Sequence, residues 1–98
     1  MSTITILKKT ENDSGWQFTI RLSDAQSETE HLVTVTRMTY EKLTGGQHSS
    51  DELIIKSFEF LLEREPKESI LREFELDDIS TYFPGWGQEM VKAFASAR

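Results

Sequence analysis

The groups in this chain that could do chemistry are few. The two histidines are His31, which opens the alternating run "HLVTVT", and His48, which stands in the polar stretch "TGGQHSS". Neither has a carboxylate at the spacing of a metal-ligand pair or of a base and its orienting group, so both read as ordinary surface residues. Seven carboxylates, Glu63, Glu65, Glu68, Glu73, Glu75, Asp77 and Asp78, crowd into one acidic segment. They lack the alternating acids and central glycine of a calcium-binding loop, and interleaved charge of this kind reads as solvated surface. A serine nucleophile needs an elbow or a neighbouring base, and neither a G-x-S-x-G nor a supported S-x-x-K pattern is present. "TGGQHSS" lacks the lysine and spacing of a phosphate loop. Cysteine is absent, which removes thiolate nucleophiles, disulfides, zinc ribbons and iron–sulfur ligation together. The expectation is a protein that is not an enzyme and uses no cofactor and no metal.

Aromatic residues supply the remaining candidates. The stretch "SFEFLLEREPKESILREFELDDISTYFPGW" sets four phenylalanines, a tyrosine and a tryptophan in an acidic run. Phe58, Leu61, Leu62, Phe74, Ile79 and Phe83 have the spacing of helices packed on a sheet, and read as core. Phe60 falls on a flanking stripe with Leu53, Ser57 and Arg64. Trp86, between two glycines in "FPGWG", is held loosely by its own backbone and must dock into the fold or into another molecule to be ordered. Two readings stand open for it: a plug that pins the C-terminal helix, or an anchor for a partner, a role in which Trp and Tyr are enriched. Phe60, Tyr82, Phe83 and Trp86 are the candidate partner-binding residues.

The elements that must position these residues follow from periodicity. Trp16, Phe18, Ile20 and Leu22 alternate with Gln17, Thr19, Arg21 and Ser23, which predicts a strand with one buried face. Ile4 and Ile6 predict a strand before it, joined through the turn formers of "TENDSG". Val33 and Val35 share a face of a third. From Met38 the period becomes helical. "RMTYEKLTGG" predicts a short helix closed by Gly45 and Gly46, and Ser49 with Glu52 makes a capping box for a helix carrying Ile54, Ile55, Phe58, Leu61 and Leu62 inward. Pro66 ends it. Two short helical turns follow, one carrying Ile70, Leu71 and Phe74 and one carrying Ile79, Tyr82 and Phe83, and Gln88 to Ala95 forms a last helix. The predicted fold is α+β. A three-stranded antiparallel meander (1–36) precedes a helical C-terminal half (37–98) packed on one of its faces, within a single domain of 98 residues.

Seventeen acidic against eleven basic residues give a net charge of −6, which opposes phosphate backbones and anionic lipid and disfavours nucleic acid as a partner. No apolar run reaches the roughly 20 residues of a membrane span, and none suits a secretory signal. A cytoplasmic interaction or accessory protein is the leading reading, with an unidentified protein partner, a homodimer among the options.

Two resemblances bear on these expectations. The block "SFEFLLEREPKESIL" with "FELDDISTYFPGW" resembles a group of small uncharacterised bacterial proteins; the likeness covers about half of the chain and implies no activity. The layout from "HLVTVT" through "TGG" to "SSDEL" is similar to ribbon-helix-helix repressors and antitoxins. That likeness implies a dimer whose paired ribbons, here His31 to Thr36, enter the major groove as a DNA-binding regulator. Leu32, Thr34 and Thr36 are poor base readers, and residues 31–66 hold four basic against six acidic side chains.

Overall fold

Strand β2 (Gly15–Ser23) is the middle of the molecule because both of its edges and one of its faces are used. Trp16, Phe18, Ile20 and Leu22 point into the core as their alternation predicts. β1 (Thr3–Asn12) and β3 (Glu28–Thr36) pair with it antiparallel, so that Leu22 faces Thr29, Ile20 faces His31, Phe18 faces Val33 and Trp16 faces Val35. The computed structural model of the chain describes residues 2–96.

The first turn is tighter than "TENDSG" suggests. β1 runs on to Asn12, whose Oδ1 accepts from the backbone N–H of Ser14 (2.9 Å) and Gly15 (3.0 Å) and closes the hairpin. Gly15 lies against β3 so closely that a Cβ there would sit 2.0 Å from the carbonyl oxygen of Val35, at a φ of 149°. A bulge between Ile6 and Lys8 shifts the register of β1 and leaves Leu7 exposed on this edge strand.

β3 leads into α1 (Arg37–Thr44), capped by the Thr36 side chain and closed by left-handed Gly45. α2 (Ser50–Leu62) opens with the expected capping box of Ser49 and Glu52. It buries Ile54, Phe58 and Leu61 as predicted. Leu53, Ser57 and Phe60, expected on its flank, are buried too: α4 (Trp86–Ser96) lays Trp86 and Met90 against Ser57, and the Phe83 ring meets Phe60 edge-on.

After Pro66 the structure departs from the expected helical turn. A single 3-10 turn, Lys67–Ser69, is followed by extended chain and a fourth strand, β4 (Glu73–Glu75), which pairs parallel with Leu32–Thr34 of β3. Ile70 and Phe74 point inward, but Leu71 is half-exposed. The reason is the unpaired edge that a three-stranded meander leaves on β3. An N–H at that edge is satisfied when Leu32 donates to the Arg72 carbonyl at 2.7 Å. A parallel neighbour needs a long crossover, and α1 and α2 supply it. The sheet is therefore four-stranded and mixed, in the order β1-β2-β3-β4, with helices following the strands in an α+β arrangement.

The chain returns through a 3-10 turn, Leu76–Asp78, into α3 (Ile79–Tyr82), which ends before Pro84. One hydrophobic core joins the sheet, α2 and the C-terminal segments. Among the described residues, no helix is long and apolar enough to cross a membrane.

Candidate docking groove

An apolar groove of about 350 Å³ opens between the end of α2, the segment 65–74 and α3. Leu61, Ile70, Phe74 and Ile79 form its buried floor, and Leu71 and Tyr82 stand at its rim, 48% and 64% exposed. Glu65 and Asp78 bring carboxylates to its wall, and Phe83 closes one side.

The wall is held by polar contacts that the sequence pattern does not reveal. Lys67 is buried, and its ammonium bridges Asp24 (2.6 Å) and Glu68 (2.9 Å). Asp24 in turn accepts from the backbone of Gln26 and Ser27, while the Ser27 hydroxyl donates to Glu68. The turn between β2 and β3 is thereby tied to the start of the groove wall. The Lys67 hydrogen bond, reinforced by the two backbone donors, holds the Asp24 carboxyl down to about 2. The Asp24 carboxylate, with Glu68, holds the Lys67 ammonium above its ordinary range.

His31 is a second tie, and its expected place on the surface is corrected. It lies on the inward face of β3 and is 1% exposed. Its Nδ1 meets the Leu71 carbonyl at 2.6 Å and its Nε2 meets the Thr29 hydroxyl at 2.8 Å. A carbonyl can only accept, so the proton is on Nδ1, and Nε2 accepts from Thr29. Burial pushes the imidazole below its usual 6.5, which keeps it neutral. His48 is partly buried as well. Its Nε2 donates to the Phe94 carbonyl at 3.2 Å, and its other nitrogen lies 3.6 Å from Glu52. Both histidines are structural ties. Among the described residues no cluster of three His, Asp or Glu side chains is placed to hold a metal ion.

The four candidate partner-binding residues divide. Trp86 is 1% exposed, begins α4, and donates from its indole N–H to the Ser57 hydroxyl at 3.3 Å. It is the plug and not a surface anchor. The cause is the flanking stripe of α2, which offers a buried hydroxyl where the indole needs an acceptor. Phe60 is likewise removed from the surface, 6% exposed, edge-on to Phe83 at 5.9 Å between ring centres and covered by the Arg64 guanidinium at 3.6 Å. Tyr82 and half-buried Phe83 remain at the groove. Sequence reasoning missed Glu65 and the rim position of Leu71; Pro66, which forces the chain out of α2 beside them, was the available signal.

β3, which would be the intermolecular ribbon of a ribbon-helix-helix dimer, is paired with β2 along its length and with β4 at Leu32–Thr34. That geometry gives the DNA-binding reading no support. No protein-family model matches the chain, and no curated protein and no solved structure matches it.

Proposed function

We propose that this chain is a non-enzymatic interaction or accessory protein of the cytoplasm, which docks a partner protein in the groove between α2, β4 and α3. One observation carries the reading. Leu71 and Tyr82 are large apolar side chains exposed at the rim of one apolar floor, on walls that His31 and Lys67 hold in place. Rigid walls lower the ordering cost of binding, and an aromatic beside an aliphatic rim is the composition of an interface centre.

A photo-crosslinking amino acid at Tyr82, introduced in cells, tests this directly. The expected result is a discrete adduct with one protein that disappears when Leu71→Asp is added. The same label at Met38, which is 79% exposed on the first turn of α1, serves as the control surface. Equal adducts from both positions, or none from Tyr82, would remove the proposal.

A further inference from the structure

The charge distribution around the groove identifies the chemistry of its occupant. Residues 61–83, the segment that builds the groove, hold seven acidic and three basic side chains, a net of −4 out of the whole chain's −6. Two of those three cations are already engaged. Lys67 is spent on Asp24 and Glu68, and Arg64 is laid over the Phe60 ring, bonded to the Phe60 carbonyl and paired with Glu63. At the groove itself, the Glu65 carboxylate has no ion pair or hydrogen-bond partner among the described residues, and neither has the Tyr82 hydroxyl. Asp78 uses one oxygen to cap the backbone N–H of Glu75.

A small molecule fits these facts poorly. The volume is at the low end of the roughly 300–1,000 Å³ of small-molecule sites, and the floor of Leu61, Ile70, Phe74 and Ile79 offers no buried polar side chain to orient one. One or two apolar side chains on a longer segment fit better, because their flanks can reach the carboxylates while the chain itself stays outside.

We infer that the groove receives a short amphipathic segment of a partner protein, with an aliphatic or aromatic side chain seated over Ile70 and Phe74 and flanking Lys or Arg residues facing Glu65 and Asp78. The inference rests on the groove being the docking surface and adds the sign of the partner's charge. Two carboxylates beside an apolar floor attract a basic segment and repel an acidic one of equal hydrophobicity, which gives specificity and a salt-dependent association rate.

Two synthetic amphipathic peptides test it, with the same leucine pattern and a polar face of lysine in one and glutamate in the other, each titrated into the isotopically labelled full chain. The lysine peptide is expected to move the amide signals of Ile70–Phe74 and Asp78–Phe83. Its affinity should fall about tenfold or more in Glu65→Lys and should weaken with added salt. The glutamate peptide should leave those signals in place. If both peptides bind there alike, or Glu65→Lys changes nothing, the charge inference is overturned while the groove reading survives. If neither peptide moves those signals, both fall. Leu71→Asp, with its fold confirmed by circular dichroism, should abolish the lysine peptide's effect, and retained binding would place the contact elsewhere and overturn the inference.

Discussion

The Nδ1–H of His31 donates to the carbonyl of Leu71 across 2.6 Å, and through that bond a buried strand fixes the rim of an exposed groove. The imidazole is packed against Phe58 at 5.8 Å between ring centres and faces the Thr29 hydroxyl, with the cation of Arg72 close enough to oppose a second positive charge. A proton on Nε2 would therefore be placed where solvation is poor and the neighbouring charge repels it.

Stability should consequently fall on mild acidification. The folded-state pKa of His31 lies below 6.5. Below pH 6.5 the unfolded chain binds a proton that the folded chain refuses, so stability is full above that value and declines as pH falls towards the folded pKa. His31→Phe keeps the ring packing but orphans the Leu71 carbonyl and the Thr29 hydroxyl, at a cost of about 1–3 kcal/mol. Urea unfolding of both proteins across this range should show a pH slope that is smaller in the variant; equal slopes would assign the dependence to other groups.

A different window reports on Asp24. Its folded pKa is about 2 against an ordinary 3.8, so its contribution is present above 3.8 and is lost as pH falls from there to about 2. Lys67→Met removes the main donor. The Asp24 carboxyl carbon, followed by nuclear magnetic resonance, should then titrate closer to 3.8, and the amides of the groove wall after Pro66 should shift with it. An unmoved titration would mean that the backbone donors of Gln26 and Ser27 hold the carboxylate by themselves.

How far these features are legible in the sequence depends on the range of the interaction. β2 and α2 are legible because their patterns are local: Phe18, Ile20 and Leu22 keep a period of two, and Ser49 and Glu52 are three residues apart. β4 is not, because three residues carry no periodicity and its reason for existing is an unpaired β3 edge some forty positions earlier. The same holds for His31 and Lys67. Each looks like a surface residue until the partner that buries it, Leu71 or Asp24, is brought alongside by the crossover. Trp86 was legible as a residue that must dock somewhere, but its acceptor lies 29 positions away in Ser57.

Gly15 and Gly85 make a matched pair in opposite directions. At Gly15 a methyl group would overlap the Val35 carbonyl and crowd Thr36, both backbone, so neither can rotate away. Gly15→Ala should cost about 2 kcal/mol or more by forcing β2 and β3 apart. At Gly85 nothing lies within 4 Å of the added methyl, and Gly85→Ala should stay within about 0.5 kcal/mol of the parent. Thermal melts of the two variants side by side check this, and a mild Gly15→Ala would mean that the hairpin can shift its register.

Trp86 provides the sharpest separation of core from interface. The indole fills the space between α2 and α4, and its N–H is satisfied by a hydroxyl that itself contacts the Met90 sulfur at 3.7 Å. Trp86→Ala should therefore destabilise by about 3–5 kcal/mol, as for other large aromatics removed from a core. Ser57→Ala leaves the ring in place but strands its N–H, for about 1–3 kcal/mol. Because they share a hydrogen bond, the double variant Trp86→Phe with Ser57→Ala should cost less than the sum of the two single changes, phenylalanine having no donor to strand. A urea double-mutant cycle measures that coupling. Strict additivity would show that the indole is held by packing alone, and the hydrogen bond between α2 and α4 would carry no net stability.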